Sequence, residues 1–291
     1  MALPLISVDT WKMSTQTTEP PWGTYAPKGL NAALIKMARA MPQNGFGRIL
    51  AGLCRKPVMA GLNTPLDLTV FDTPVRFHPQ DNLTEKRVAF MPQFFDPEER
   101  AALAAMGHKD FVFIDIGANA GFYSLFMAQK CGKSAKIIAV EPQSEMARRL
   151  RFNCMVGDHP QIIHEASALA AGPGEAVLNI VHENRGASGF TPRGKNSADE
   201  TMTVPTMALL GLMDKHDINR ADAIKIDIEG AEDQVLPAFF ETCPADRLPA
   251  LMIIERNEDW AVDCIDLAIK AGYRDTGQGR KNAILTLGAC A

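Results

Sequence analysis

The stretch DFVFIDIGANAGFYSLFMA, residues 110–128, constrains the fold of this chain more than any other. A short apolar run ends in Asp115, a turn of small residues follows, and a helical pattern begins. A strand that runs into a tight loop opening a helix is the repeating unit of open α/β sheets, and loops of this kind bring backbone close to a ligand. Gly117 and Gly121 permit turn geometry and a close approach that a Cβ obstructs. Asn119, between them, is one of the few non-glycine residue types that tolerate positive φ.

The spacing separates two classes of nucleotide. A dinucleotide fingerprint carries three glycines as G-x-G-x-x-G, whereas D-I-G-A-N-A-G keeps only Gly117 and Gly121 and opens with an acid. A carboxylate is a poor neighbour for a pyrophosphate and a good one for a cation. S-adenosylmethionine carries a sulfonium and an ammonium and no phosphate, so the charge logic favours it over NAD. A glycine turn in an unrelated α/β protein remains the plain alternative for the loop taken alone.

From residue 111 onward strands and helices alternate, which specifies an α/β fold. Strands are expected at 111–116, 136–141, 161–164, 223–228 and 250–255, with helices at 121–131, 143–155, 231–241 and 259–271. Two further strands, 176–181 and 201–205, flank a polar, Gly-rich insert that reads as a loop. Residues 273–276 and 283–287 suit an antiparallel edge hairpin turning at Gln278 to Lys281.

The chain divides into three parts by pattern. Residues 1–27 lack periodicity and read as a mobile arm. Residues 28–105 read as a helical cap and hairpin, and 106–291 as the cofactor-binding domain. In the cap, Leu30, Ala33, Leu34, Met37, Ala38 and Met41 fall at helical spacing, and Phe46, Ile49, Leu50 and Leu53 begin a second stripe. Between Glu19 and Asp67 there is no acid, whereas Lys28, Lys36, Arg39, Arg48, Arg55 and Lys56 are basic. A basic amphipathic helix pair can lie on an anionic membrane, but the favoured reading is a cap whose stripes pack on their own domain. LDLTVFDTPVRF, 66–77, alternates as a hairpin turning near Asp72 to Pro74. A helix through Met106 follows, with Asp96 as N-cap and Pro97 at its first position.

Composition closes off other classes. Hydrophobic residues make up 46% and charged residues 22%, enough for a large core. A formal net charge of −4 gives no general argument for nucleic-acid binding. The six cysteines are scattered without a C-x-x-C pair, which suits reduced thiols in a cytoplasmic protein and argues against a zinc site or a disulfide framework. No apolar run is long enough to span a bilayer, and no secretory leader is apparent.

Acids at three expected strand ends carry the candidate chemistry. Glu141, followed by the strand-stopping Pro142, stands where a βαβ unit places an acid on ribose hydroxyls. AIKIDIEGAED, 223–233, ends a strand in Asp227 and Glu229, with Lys225 on the same parity; Glu232 and Asp233 fit an ordinary helix N-terminus. Glu255 ends another strand, with Asn257 close behind it. Asp227 is the first choice for general base or orienter, with Glu229 and Glu255 next; His182 in the insert competes. Asp227, Glu229, Glu255 and Asn257 also compose an oxygen-rich set of the kind magnesium takes, a minority reading, so no metal is assigned.

Taken together, DIGANAGFYSLFMA, AVEPQ, NRGAS and IKIDIEGAEDQVL resemble, in the same order, recurring segments of the FkbM family of S-adenosylmethionine-dependent methyltransferases. The resemblance covers about residues 85 to 260 and leaves the N-terminal part aside. It implies a class I methyltransferase fold, a Rossmann-like mixed sheet of order 3-2-1-4-5-7-6 with strand 7 antiparallel. It also implies O-methylation of sugar or polyketide-type hydroxyls. By the same resemblance Asp115, Gly117, Asn119 and Gly121 cradle the methionine end of the cofactor, and the adjoining Ala118, Phe122, Tyr123 and Ser124 count among the cofactor-binding residues. Glu141 holds the ribose with Pro142 beside it among the cofactor-binding residues, Ser167 and Ala168 border the adenine, and Asp227 faces the methyl centre. Many members carry a His soon after the acid matching Glu255, where this chain has Arg256-Asn257-Glu258.

The expected reaction is in-line displacement, in which a substrate hydroxyl attacks the sulfonium methyl. Two readings of other classes stand beside it. One is an NAD-dependent oxidoreductase, which explains the glycine loop and Glu141 but not Asp115. The other is a membrane-peripheral binding module, suggested by 28–56 and disfavoured by the intact acids.

Overall fold

A computed structural model of the chain describes residues 19–189, 200–277, 279 and 281–288. The N-terminal part comprises α1 (Gly29–Arg39), α2 (Gly45–Ala60), the hairpin β1 (Leu66–Val70) and β2 (Thr73–Phe77), α3 (Leu83–Phe90) and α4 (Pro97–Met106). The α/β part runs through β3 (Val112–Ile116), α5 (Phe122–Cys131), β4 (Lys136–Val140), α6 (Ser144–Val156), β5 (Ile162–Glu165), β6 (Ala168–Leu169), β7 (Gly174–Ile180) and β8 (Glu200–Met207). It continues through α7 (Leu209–Lys215), β9 (Ala223–Ile226), α8 (Glu232–Thr242), β10 (Leu251–Glu255), α9 (Cys264–Lys270), β11 (Tyr273–Asp275) and β12 (Asn282–Leu287).

Seven strands form the central sheet in the order β11-β12-β10-β9-β3-β4-β5. β12 is antiparallel to both neighbours and the other pairings are parallel. Numbered by their order in the chain and read from the β5 edge, these strands give 3-2-1-4-5-7-6, the class I methyltransferase arrangement. Side-chain alternation feeds a core on each face. Phe113, Ile137 and Ala139 point into the core shared with α5 and the N-terminal elements, whereas Ile114, Ile116, Ile224 and Ile226 point into the core that buries α7, α8 and α9. Asp115 and Lys225 are register partners, so two charges share a buried neighbourhood beneath the glycine loop. β6, β8 and β7 form a separate three-stranded sheet.

Several local features depart from expectation. The β1–β2 turn is Phe71-Asp72, both at positive φ, one residue ahead of the expected position. Such a turn matches the twist of a hairpin. Asp96 precedes α4 but makes no side-chain cap; it takes a left-handed conformation, and its carboxylate accepts instead from Tyr123 Oη at 3.1 Å. Within the insert, His182–Ala187 form a 3₁₀ segment, while 190–199 lie outside the described residues. Helices α3 and α7 were not expected from periodicity.

Residues 19–27 belong to the expected mobile arm, yet they are tied to the hairpin, whereas 1–18 lie outside the described residues. Arg76, 1% exposed, is clamped by Asp67 at 2.8 and 2.9 Å and donates to Glu19, Pro20 O and Pro21 O. Its guanidinium sits between the rings of Tyr25 and Phe152.

The α1–α2 pair corrects another expectation. The residues it buries are Ile35, Ala38, Gly47, Ala51 and Val58, while Leu30, Met37, Phe46, Ile49 and Leu53 remain exposed. The cap therefore packs through small and β-branched residues, and its larger apolar residues face outward. Among the described residues no helix is long and apolar enough to cross a membrane.

Candidate functional site

The glycine loop is shaped by contacts that leave no room for side chains. Gly117 lies at φ +76°, and a Cβ there would stand 1.9 Å from the Asp227 carbonyl oxygen. The N–H groups of Gly117 and Ala118 both donate to Val140 O at 3.0 Å, which draws the loop over the tip of β4. Asn119 takes positive φ, as its residue type suggested, and so does Gly121, which caps α5.

Asp115 lies beneath this loop. Its Oδ2 accepts from the Ser124 N–H at 3.0 Å and from Ser124 Oγ at 2.7 Å, pinning the start of α5. Oδ1 is buried and has no protein partner. Burial pushes the Asp115 carboxyl above its ordinary range, with Lys225 opposing.

Glu141 projects from the end of β4 and is 7% exposed. Its Oε2 accepts from the Asn119 N–H at 2.8 Å and its Oε1 from the Gln143 N–H at 2.9 Å. One lone pair on each oxygen is left over, the number a vicinal diol needs. Burial raises its pKa to about 7, partly offset by these two N–H donors.

Two cavities meet over the loop. The first has Glu141 beside an apolar slot of Val140, Met146, Ala168, Leu169 and Leu178. The second is polar and lined by charges of both signs, with Arg87, Asp96, Lys225 and Lys281 set beside Phe95 and Tyr123. Gly117, Asn119, Gly186, Asp227 and Glu229 line both and form their common wall. Pro142 lies in the first cavity; Ala118, Phe122 and Tyr123 line the second. Asp115, Gly121, Ser124 and Ser167 line neither: Gly121 packs near Leu150, and Ser167 is held by Glu165.

The acids at the strand ends come together. Asp227, Glu229 and Glu255 each place a carboxylate oxygen within 4.8 Å of the others. Lys225 Nζ lies 3.1 Å from Asp227 and Lys281 Nζ 3.0 Å from Glu255, so two ammonium groups bracket the cluster. Asp227 and Glu255 shift in opposite directions. Burial pushes both upward; at Asp227 the neighbouring Lys225 and Lys281, with Glu255, together more than reverse this, whereas at Glu255 the Asp227 charge adds to it. Glu229 sits at positive φ before Gly230, and the turn is fixed by buried Glu232, which accepts from the Ile228 N–H at 2.8 Å and Trp260 Nε1 at 2.9 Å. Asn257 is turned to the Asp259 N–H, and His182 pairs with Glu200; neither lines these two cavities.

The N-terminal elements also complete the site. Asn82 Nδ2 donates to Asn119 Oδ1 at 2.7 Å, while Asn82 Oδ1 caps α3 by accepting from the Glu85 N–H. The 3₁₀ segment closes from the other side, with the Arg185 N–H on Asp81 O and Asn184 Oδ1 accepting from the Leu83 N–H. Gly186 suits that closure, since a Cβ there would stand 2.7 Å from Asn119 Nδ2 and force that side chain to shift. Asn82, Arg87 and Lys281 carried no sequence signal, whereas Gly186 falls within the NRGAS segment already singled out.

A family model described as the Methyltransferase FkbM domain matches residues 115–264. No curated protein matches the sequence. Among solved structures, the chain is similar to a precorrin-6y C5,15-methyltransferase from Geobacter metallireducens at 15% identity, over 65% of this chain and 86% of that one, with a TM-score of 0.39. It is also similar to an O-methyltransferase from Bacillus cereus in complex with SAH, at 12% identity over 67% and 82% of the chains and a TM-score of 0.39. A putative rRNA methylase from Clostridium thermocellum gives 8% identity over 66% and 95%, with a TM-score of 0.42. With the matched segment running from the glycine loop through the acids of the common wall and spanning over half of its length, the chain belongs to the FkbM methyltransferase family.

Proposed function

We propose that the chain is an O-methyltransferase that uses S-adenosylmethionine and acts on a hydroxyl of a sugar or natural-product-like small molecule. When bound, the cofactor supplies an electrophilic methyl group on a sulfonium. Glu141 fits the ribose, because its two N–H contacts leave an acceptor on each oxygen. The slot of Val140, Met146, Ala168, Leu169 and Leu178 fits a flat, apolar-faced base.

The observation that carries the reading is the common wall. Asp227 and Glu229 line both cavities, so a donor in the first and an acceptor in the second meet at carboxylates. Asp227 takes or orients the proton of the attacking hydroxyl, an effect of about 10²–10⁴-fold for a positioned base. Lys225 holds Asp227 in place, and Glu255, whose carboxyl is raised by burial and by the Asp227 charge, leaves the negative charge on Asp227. Tyr123 and Phe95 offer ring faces, and Thr84, Arg87 and Asp96 offer polar groups, a mixture suited to a hydroxylated ring.

Calorimetry with S-adenosylhomocysteine and, separately, NAD tests the cofactor. Binding of the former alone supports the reading; binding of NAD alone ends it. Labelled-methyl transfer to a panel of sugars and hydroxylated ring compounds tests the acceptor class, and a chain active only on amines or nucleic acid overturns it.

A further inference from the structure

The outward face of the α1–α2 pair is unlike the rest of the surface. Leu30, Ala33 and Met37 recur at i, i+3, i+7 on α1, and Phe46, Ile49 and Leu53 do the same on α2. That spacing places each trio on one side of its helix. Leu30 is 72% exposed, Phe46 68% and Ile49 64%, far from the Ile35, Ala38, Ala51 and Val58 face that packs inward. Scattered exposed apolar residues are ordinary, but a periodic pair of stripes on adjacent helices is a patch.

The charge around it is of one sign. Six cations and no acid lie between Glu19 and Asp67, although the chain as a whole is at −4. Arg39 is committed to the body of the protein, donating to Ala89 O and Thr69 O, and Arg48 lies over the Phe94 ring. Lys28, Lys36 and Lys56 are exposed, and no described carboxylate pairs with them or with Arg55. On a helical wheel Lys36 follows Ala33 at the edge of the α1 stripe and Lys56 falls beside Ile49 at the edge of the α2 stripe. Lysines in that position extend their ammonium groups past the apolar residues.

We propose that this face docks on an anionic lipid surface, with the two stripes entering the headgroup–acyl boundary and the flanking lysines on the phosphates. Interfacial helices combine these features: an apolar stripe, cationic flanks and no acids. A second copy of the chain is a poor occupant, because it brings the same cations to the contact. An acidic protein groove shares the charge logic, and the experiment separates it.

The full chain is sedimented with vesicles of phosphatidylglycerol and phosphatidylcholine, and with vesicles of phosphatidylcholine alone. Binding to the anionic vesicles only, weakened by salt, is expected. Phe46→Asp with Ile49→Asp, and separately Lys36→Glu with Lys56→Glu, each lower that binding at least about tenfold, since each surface cation contributes roughly a kcal/mol. These residues are exposed and line neither cavity, so S-adenosylhomocysteine affinity and circular dichroism serve as controls for folding. The proposal is overturned by absence of binding to anionic vesicles, or by binding that neither double variant changes. It is equally overturned by a dimer in sedimentation equilibrium that both variants dissolve, or by binding of poly-glutamate in place of vesicles.

Discussion

Glu141 accepts the Asn119 N–H at 2.8 Å, which joins the end of β4 to the glycine loop and holds a buried carboxyl whose pKa lies near 7. Ribose hydroxyls donate to the ionised form, so binding favours deprotonation. Affinity for S-adenosylhomocysteine therefore rises with pH through about 7 and levels off above it. Between pH 8 and 6 it falls roughly tenfold, with proton release on binding near neutrality. Glu141→Gln removes the charge, flattens this profile and weakens binding by about 1.5–3 kcal/mol. Calorimetry across pH 5.5–8.5 checks both; an unchanged profile in the variant assigns the titration elsewhere.

The Asp227 carboxyl lies below its ordinary range, despite burial, because Lys225 stands beside it, whereas burial and the Asp227 charge raise that of Glu255, and that makes their substitutions unequal. Asp227→Asn removes the charged acceptor and lowers kcat by about 10²–10⁴-fold. Glu255→Gln imitates the protonated partner, keeps a donor toward Asp227 and costs no more than about tenfold, the worth of one hydrogen bond. Single-turnover methyl transfer reads the two directly. Equal losses contradict the assignment of the charge to Asp227.

The ammonium groups of Lys225 and Lys281 already neutralise much of the three-carboxylate cluster. A magnesium ion would have to displace them. Methyl transfer is therefore expected to persist unchanged in EDTA, and Lys281→Met is the variant in which added magnesium has its best chance of binding. A chelator-dependent loss restored by magnesium in the wild type refutes this.

Gly117→Ala forces a Cβ against the Asp227 carbonyl at a backbone angle suited to glycine. A cost of about 2 kcal/mol or more is expected, with loss of cofactor binding, because the loop and the tip of β9 must separate. Gly172→Ala, where nothing lies within 4 Å, is the matched control and stays within about 0.5 kcal/mol. Chemical denaturation measures both.

What could be read in the sequence follows from how locally each feature is determined. The loop, Glu141 and Asp227 were legible because an apolar run ending in an acid places that acid at a strand tip, whatever the rest of the chain does. The orientation of Asp115 was not, since only the pairing of β3 with β9 sets it beside Lys225 and under Ser124. α3 escaped because it buries a charge: Glu85 is fully buried on Arg149, so its inward face does not look apolar. Lys281 reaches the site only through the insertion of β12 beside β10. The outward turn of Phe46 and Ile49 was illegible for a related reason: periodicity reports a stripe but not which side of it meets the body.

Asn82 makes the last case, since it serves two structures at once. Its Oδ1 caps α3 and its Nδ2 holds the Asn119 side chain, so the N-terminal part and the cofactor loop share one amide. Asn82→Ala loses both contacts and is expected to cost about 0.5–2 kcal/mol of stability through the cap alone. Asn82→Asp separates the roles. It retains an acceptor for the Glu85 N–H but places a carboxylate against Asn119 Oδ1, so stability is largely kept while the loop is pushed from its position. S-adenosylhomocysteine affinity then falls in both variants, whereas the midpoint of urea unfolding falls chiefly in Asn82→Ala. Unchanged affinity in Asn82→Asp means that the N-terminal part does not position the loop.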